Sequence, residues 1–204
     1  VAGGDGSAAS PYLIATKEQL NNIRYNLSAN YKVISDIDLG TMQWAPIGTS
    51  VQPFTGSLNG YGYVISHLNI NLPTSNDVGF FSYISGATLN NVVIDQVSIN
   101  GSANVGVLVG TAANKFTITD SGVEDGTVLG KSLVGGLVGN AGEGTITLSW
   151  STVDVEATVY EAGGLIGASN LTAIQSSFTV SNVKAPYEVG GLIGRMNGNS
   201  KSIE

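Results

Sequence analysis

Two short stretches of the sequence combine an aromatic ring with a carboxylate. A tyrosine ring can pack against the apolar face of a sugar, and a carboxylate accepts hydrogen bonds from hydroxyl groups. The two stretches, YEAG and YEVG, lie 27 positions apart. They supply the candidate ligand-binding residues Tyr160, Glu161, Tyr187 and Glu188. The alternative interpretation is a ladder of solvated surface side chains with no ligand.

Residues suited to catalysis are sparse. His67 is the single histidine and cysteine is absent, so neither a thiol nucleophile nor a serine in a GxSxG turn with a nearby base is indicated. Asp36 and Asp38 would point to the same face of a strand. We assign them to hydrogen bonds with turn amides near a helix. The sequence therefore predicts no catalytic residue, no metal site and no cofactor.

A six-residue glycine motif recurs at nearly equal distances. Its copies are VGVLVG, VGGLVG, AGGLIG and VGGLIG, which begin at Val105, Val134, Ala162 and Val189 and are separated by 29, 28 and 27 positions. A degenerate copy, VGFF, begins 27 positions before the first of them, at Val78. No lysine follows at the spacing of a phosphate-binding loop. Five copies at a steady period indicate a repeat architecture.

Each repeat unit contains short β-prone stretches and no helical stripe. A period of 27–29 residues with about three strands is typical of one coil of a parallel β-helix, whose coils stack about 4.8 Å apart. Stacking would place the first glycines in one column, where either a positive φ or a close backbone approach excludes a Cβ. The leucines of the motifs would fill the interior: Leu108, Leu137, Leu165 and Leu192. An irregular β-sandwich with repeated hairpins is the structural alternative.

The first third of the chain carries one helix signal. Thr16 is a potential N-cap with Gln19 three residues later, and Leu20, Ile23 and Leu27 follow at helical spacing. We predict a helix over about residues 17–27, which either caps the open end of the solenoid or packs beside its first coils. Residues 1–77 would then hold this helix and the first coils. Residues 78–204 would hold the glycine-motif coils of the same continuous solenoid.

Charge and hydropathy exclude several classes of partner. The net charge is −7 and the eight Lys and Arg residues are scattered, which argues against a nucleic-acid partner. No apolar run reaches the roughly 18 residues that a membrane helix needs, so we expect no membrane insertion. The chain begins at Val1 without methionine. We therefore expect it to be part of a longer, processed protein.

The order of several motifs resembles bacterial surface proteins with GLUG-motif repeats. ISDIDLG, WAPIG, PFTGSLNGYGYVISHLNI and VGFFSYISGATLNNVVI precede the repeated GGLVG and GGLIG, and the resemblance runs from Tyr12 to Gly194. It implies an all-β, right-handed parallel β-helix in a secreted or surface-anchored bacterial protein, often an adhesin or a multidomain peptidase or glycan-active enzyme. In that family the coils are usually stalk or recognition elements without a catalytic residue set.

These observations lead to a functional expectation. We expect a non-catalytic recognition, adhesion or spacer module at the bacterial cell surface or outside the cell. Its partner would be a glycan or a surface protein of a host or neighbouring cell. Two alternatives stay open, namely a carbohydrate-active β-helix enzyme (a polysaccharide lyase or a glycoside hydrolase) and a purely structural stalk. Only Arg24 and Arg195 are available to neutralise a uronate carboxylate, which disfavours the lyase.

Overall fold

The protein is an all-β parallel solenoid of about six turns. The computed structural model describes residues 2–197. Every pairing between named strands in this range is parallel. The predicted fold class is thereby confirmed, and the antiparallel hairpins of the alternative β-sandwich are not used between these strands.

The strands are short, as expected where the chain turns a corner every few residues. In chain order they are β1 Tyr12–Ile14, β2 Asn30–Val33, β3 Ile37–Asp38, β4 Ser57–Asn59, β5 Val64–Ser66, β6 Asn69–Asn71, β7 Phe81–Ser85, β8 Thr88–Asn90, β9 Val93–Asn100, β10 Ala103–Gly106, β11 Val109–Ala113, β12 Phe116–Thr119, β13 Gly122–Gly130, β14 Ser132–Gly135, β15 Val138–Ala141, β16 Gly144–Thr147, β17 Trp150–Ser151, β18 Asp154–Ala157, β19 Ala162–Gly163, β20 Ile166–Asn170, β21 Thr172–Gln175, β22 Phe178–Thr179, β23 Val183–Lys184, β24 Val189–Gly190 and β25 Ile193–Asn197.

The strands form four sheets along the solenoid. The seven-stranded sheet has the order β1-β2-β4-β8-β12-β16-β21, and it runs without interruption past the boundary near residue 77. The register reproduces the spacing of the motifs, because Val105 pairs with Val134, Val134 with Ala162, and Ala162 with Val189. We call residues 143–170 the penultimate coil and residues 171–197 the last coil, since Gly144 pairs with Thr172.

The glycines of the motif serve a close approach of backbones. A Cβ on Gly106 would lie 2.5 Å from the amide nitrogen of Gly139, one coil further along the solenoid. A Cβ on Gly110 would lie 2.4 Å from the carbonyl carbon of Asp77, one coil back. The first glycines of the motifs do not adopt positive φ. Of the two explanations offered by the sequence, close packing of neighbouring strands is therefore the one that applies.

The interior is filled by stacked apolar side chains. Leu108, Leu137 and Leu165 are fully buried as predicted, whereas Leu192 in the last coil is only partly buried. Aromatic rings fill part of the core near the first coils, where Trp44 stacks on Phe80 at a centroid distance of 4.7 Å. Burial of such side chains contributes about 1.5–3 kcal/mol each, so the column of repeats is the main source of stability.

The predicted helix is present, but it ends earlier than predicted and its last turn is a 3₁₀ turn. Helix α1 spans Lys17–Asn21 and continues as a 3₁₀ turn over Asn22–Tyr25. Thr16 Oγ1 accepts the amide of Gln19 at 3.3 Å, and Gln19 Oε1 accepts the amide of Ala15 at 2.7 Å. The prediction of a helix to residue 27 was wrong at its end. The chain leaves the helical conformation at Asn26, whose φ is −146° and whose ψ is 83°, and the carbonyl of Leu27 then accepts the amide of Thr55 at 2.8 Å in the next coil.

The two ends of the solenoid differ. At the first coil, the segment before β1 folds back on that strand, with the amide of Ala2 donating to the carbonyl of Leu13 at 2.9 Å. Leu20 and Ile23 of the helical segment are fully buried beside it. At the other end, all four sheets terminate in strands of the last coil, β21 to β25. In residues 2–197 no strand pairs with the outer edge of that coil.

A column of serines connects successive coils at one corner. Ser121 Oγ accepts the amide of Val92 at 3.1 Å, and Ser149 Oγ accepts the amide of Ser121 at 3.3 Å. Ser177 Oγ continues the column by accepting the amide of Ser149 at 3.1 Å. Each hydroxyl also donates to a carbonyl two residues earlier in its own coil. The serines thus satisfy buried amides at a corner between two sheets.

Candidate ligand-binding site

The register of the coils brings the two predicted tyrosines together. Tyr160 precedes β19 and Tyr187 precedes β24, and these strands pair with Gly163 opposite Gly190. The two rings stack with centroids 5.7 Å apart and an interplanar angle of 28°. Both remain open to solvent, with exposed fractions of 54% for Tyr160 and 73% for Tyr187. The structure therefore confirms the predicted alignment of YEAG with YEVG in neighbouring coils.

The stacking decides which aromatic surface is free. Because each ring faces the other, the inner faces are largely covered. The ring edges and the outer face of Tyr187 are the surfaces that a ligand could contact. A sugar would thus meet this pair at its rim or at its outer end, and would not lie between the rings.

The two glutamates have different environments although their backbones are in register. Glu188 is exposed, while the Glu161 side chain is only 8% exposed. Glu161 Oε1 accepts a hydrogen bond from Nη1 of Arg195 at 2.5 Å. Stacked carboxylates repel unless a cation intervenes, and Arg195 supplies a cation to the inner one. Arg195 belongs to β25, and its Nε is buried without a hydrogen-bond partner in the described part of the chain.

A shallow cavity lies against this ion pair. Its volume is about 310 Å³, and it is lined by Ser132, Leu133, Tyr160, Glu161 and Arg195. It offers a hydroxyl, an aromatic ring and two opposite charges within one depression. Such a set can hydrogen-bond a polyhydroxylated ligand, because both charged groups have hydrogen-bonding capacity beyond their mutual contact.

A second groove lies on the outer face of the solenoid, across three successive coils. Buried positions alternate with more exposed ones over residues 150–158, and partly buried positions alternate with exposed ones over residues 177–186. The outer face holds a cavity of about 530 Å³, which is lined by Thr127, Val128, Leu129, Asp154, Val155, Glu156, Asn182 and Lys184. Asp154 Oδ1 accepts a hydrogen bond from Asn182 Nδ2 at 2.7 Å. Glu156 lies opposite Lys184 in the strand register, so Lys184 faces this carboxylate.

An aromatic pair at the far end of this face was missed by the sequence reasoning. Trp150 pairs in register with Phe178, whose side chain is 55% exposed. The indole Nε1 of Trp150 donates to Glu124 Oε1 at 2.9 Å. The indole lies directly over Gly122, where a Cβ would come within 2.0 Å of it. The spacing of 28 residues between Trp150 and Phe178 equals the repeat period and was the available signal.

The remaining acid candidates bind backbone amides. Asp36 Oδ1 accepts the amide of Val64 at 2.9 Å, and Asp38 Oδ1 accepts the amide of Gly40 at 2.7 Å, as the sequence predicted. Asp38 also contacts Nδ1 of His67 at 2.8 Å on the exposed surface. The Gly40 amide, followed by the His67 contact, holds the pKa of the Asp38 carboxyl below its ordinary value of 3.8.

Two further features concern ions and membranes. Across residues 2–197, no group of three or more histidine, cysteine, aspartate or glutamate residues is arranged to hold a metal ion. Within the same residues, none of the helical segments has the length and hydropathy needed to span a bilayer.

The chain is similar to parts of much longer proteins. It is 34% identical over 192 residues to halomucin of Haloquadratum walsbyi, which covers 86% of this chain and 2% of that protein. It is 36% identical over 132 residues to a protein of Evansella cellulosilytica provisionally named a Gly-rich membrane protein, over 59% of this chain and 15% of that protein. It is 29% identical over 177 residues to an immunoglobulin A1 protease of Streptococcus pneumoniae, over 78% of this chain and 8% of that protein. No family model matches the chain.

A solved structure shares the fold. The crystal structure of a Bacteroides ovatus protein, provisionally described as an immunoglobulin A1 protease, matches with a TM-score of 0.81. The sequences are 20% identical, and the match covers 97% of this chain and 65% of that one. At this level of identity the likeness concerns the fold alone. This chain is a parallel β-solenoid repeat protein of the same architecture.

Proposed function

We propose that the protein is a non-catalytic recognition module of a secreted or surface-exposed bacterial protein, with glycan as its ligand. The observation that carries this proposal is the stacked, exposed pair of Tyr160 and Tyr187 beside the Glu161–Arg195 cavity. Exposed aromatic rings on a rigid solenoid lose little side-chain freedom on binding, which favours their use as contact residues.

The relatives support a location of this module at the cell surface or outside the cell. One is provisionally named a membrane protein, and others are immunoglobulin A1 proteases of streptococci. In each of the three proteins compared above, the similar region is 15% or less of the whole length. A module of a long protein of the cell surface or the extracellular space fits these proportions. We also propose that the repeats are of the GLUG type, on the strength of the recurring GGLVG and GGLIG motifs.

The charge of the molecule indicates which glycans to expect. The net charge is −7, and the face beside the tyrosines carries Asp154, Glu156 and Glu188. A polyanionic glycan would be repelled by this surface. A neutral oligosaccharide would place its hydroxyls on the carboxylates and amides of the groove, and an apolar ring face on an exposed tyrosine. The proposed ligand is therefore a neutral glycan.

The role of Glu161 favours recognition over hydrolysis. A glycosidase needs two carboxyl groups that are free to exchange protons or attack the sugar. Glu161, the buried acid nearest to the tyrosines, is engaged by Arg195, and that contact holds the last coil against the penultimate one. We therefore assign Glu161 a positioning role in a binding surface.

Binding to an array of neutral and acidic glycans tests the proposal. The variant Tyr160→Ser/Tyr187→Ser should lose at least about tenfold in affinity, since two aromatic contacts are removed. Tyr25→Ser is a matched control, because Tyr25 is 80% exposed and lies far from the site in the chain. Its affinity should equal that of the parent chain. Thermal unfolding of all three proteins establishes that the variants are folded.

Three results would overturn the proposal. Equal binding by the parent chain and the double tyrosine variant would remove the tyrosines from the site. Absence of any bound glycan or surface protein would favour a structural stalk. Release of new reducing ends from a polysaccharide by the pure protein would favour the carbohydrate-active enzyme.

A further inference from the structure

The indole of Trp150 is held against the outside of the solenoid by two supports. Strand β13 passes beneath it at Gly122, where the atoms nearest to an added Cβ would be three atoms of the indole, at 2.0, 2.4 and 2.4 Å. At its edge, the indole Nε1 donates to Glu124 Oε1 at 2.9 Å. The absent side chain below the ring and the hydrogen bond at its edge therefore hold the ring in one orientation.

The opposite face of this indole points away from the strand. Trp150 is partly exposed, and in residues 2–197 no other aromatic ring stacks on it. A ring that is already held in place loses little freedom on binding, and an indole presents a large apolar surface. The second tryptophan, Trp44, is only 2% exposed and stacks on Phe80 in the core. Of the two tryptophans, Trp150 is therefore the one that a ligand can contact.

The ring shares a sheet with the groove of about 530 Å³ on the outer face of β13, β18 and β23, which we call the lateral groove. Strand β13 pairs with β17 where Gly122 lies opposite Trp150, and it pairs with β18 where Thr127 lies opposite Asp154. Buried residues alternate with outward ones between Trp150 and Asp154, so these two side chains share the outer face. Their Cα atoms lie no more than about 14 Å apart, since four residues separate them.

The lateral groove combines hydrogen-bond donors and acceptors with little net charge. The penultimate coil supplies the carboxylates of Asp154 and Glu156, and the last coil supplies the amide of Asn182 and the ammonium of Lys184. Asp154 accepts a hydrogen bond from Asn182, and Glu156 lies opposite Lys184 in the strand register. Each carboxylate keeps the capacity to accept further hydrogen bonds. The volume of the groove lies in the range of sites for small ligands.

We propose that Trp150 and the lateral groove form a second glycan-binding site, separate from the tyrosine pair, for a neutral oligosaccharide of β-linked pyranoses. Such sugars have a flat face of C–H groups and a rim of hydroxyls. One sugar packs its apolar face on the indole, and the hydroxyls of its neighbours bond to the polar groups of the groove. A basic peptide finds little net charge here, because Lys184 faces one of the two carboxylates. The inference rests on the proposed function only for the class of ligand.

Tryptophan fluorescence tests this site directly, because Trp44 is buried. Acrylamide quenching of the parent chain is measured alone and with cellotetraose, xylotetraose or chitotetraose as neutral probes. Tetragalacturonate serves as the acidic probe. At least one neutral tetrasaccharide should lower the quenching constant, because it covers the exposed face of Trp150. Tetragalacturonate should leave the constant unchanged.

A change beneath the ring tests the role of the indole while every side chain of the groove stays in place. Gly122→Ala puts a methyl group where the indole lies, so it should displace the ring and lower the affinity for the protecting tetrasaccharide at least about tenfold. Trp150→Leu should have a similar effect, and adding Gly122→Ala to it should cause no further loss. Tyr25→Ser is the control and should bind like the parent chain. Calorimetric titration measures the affinities, and thermal unfolding establishes that each variant is folded.

The two glycan sites can fail separately. Tyr160→Ser/Tyr187→Ser should leave the protection of Trp150 intact, and loss of protection in this variant would show that the lateral groove is not a separate site. The inference is also overturned if none of the three neutral tetrasaccharides protects Trp150, if tetragalacturonate protects it better, or if Gly122→Ala binds like the parent chain. If protection persists while the double tyrosine variant binds the glycan array like the parent, the tyrosine site fails and the inference stands.

Discussion

Arg195 and Glu161 form an ion pair between the last coil and the penultimate coil. The Nη1 to Oε1 distance is 2.5 Å, and the glutamate is far more buried than the arginine, with side-chain exposures of 8% and 37%. The same offset of 34 residues links Asp77 to Thr111, where Oγ1 of Thr111 donates to Oδ1 of Asp77 at 2.6 Å. The solenoid therefore reuses one inter-coil polar contact at two levels, with different residue types.

Removal of the arginine should destabilise the protein more than removal of both partners. Arg195→Leu leaves the buried carboxylate of Glu161 without its cation, which should cost about 1–3 kcal/mol. The double variant Glu161→Leu/Arg195→Leu removes the stranded charge and should recover part of this loss. Urea unfolding of the parent chain and three variants, including Glu161→Leu, measures the coupling. Additive effects of the two single substitutions would contradict the interaction.

Loss of one serine from the corner column should lower the free energy of unfolding, because it leaves a buried amide without its acceptor. Ser149→Ala removes the acceptor of the Ser121 amide, and Ser121 is completely buried. An unsatisfied buried donor costs about 1–3 kcal/mol. Ser98→Ala, at an exposed strand position, should change stability by less than about 0.5 kcal/mol. Urea unfolding distinguishes the two, and equal midpoints would show that the serine column is dispensable.

Acid should weaken the protein through Asp38. The pKa of the Asp38 carboxyl is depressed below 3.8, chiefly by the Gly40 amide and then by His67. A depressed pKa contributes stability above the unfolded value and loses it as the pH falls through the folded value. Asp38→Asn should therefore lower the Tm slightly near neutral pH, with the difference from the parent shrinking as the pH falls below the ordinary value of 3.8. A constant difference between about pH 7 and pH 2 would contradict this assignment.

One tyrosine, Tyr31, should ionise at a higher pH than the other tyrosines. Burial, and then the neighbouring Tyr12, raise the pKa of Tyr31 to about 12, and its hydroxyl donates to the carbonyl of Asn26 at 2.7 Å. A raised pKa gives stability that is complete below the unfolded value near 10 and is lost as the pH rises through 12. Absorbance near 295 nm should show one of the eight tyrosines ionising last. Tyr31→Phe should remove that final step.

The period and the glycine column could be predicted from the sequence, because every coil faces the same requirement. Gly106, Gly135 and Gly163 each sit where the backbone of the next coil approaches too closely for a side chain. A steric requirement that recurs in every coil produces glycines at a constant spacing in the sequence. The stacking of Tyr160 on Tyr187 followed from that same alignment.

Contacts whose residue types change from coil to coil left no comparable trace. The Trp150–Glu124 hydrogen bond and the Arg195–Glu161 pair join residues 26 and 34 positions apart. These distances depend on which corner each residue occupies, and the motif spacing does not reveal this. The end of the helix was also missed, because the helical spacing of Leu20, Ile23 and Leu27 does not reveal the extended conformation of Asn26, whose carbonyl accepts the Tyr31 hydroxyl at 2.7 Å.

The packed first coil gives the solenoid a direction of assembly that matches the direction of protein synthesis. The segment before β1 and the short helix complete a closed end from the first 33 residues of the chain. Each later turn then needs to close only about 28 residues of chain onto an edge that already exists, at a low entropic cost. A polypeptide that leaves the ribosome N-terminus first would thus add one turn at a time to an end that is already packed.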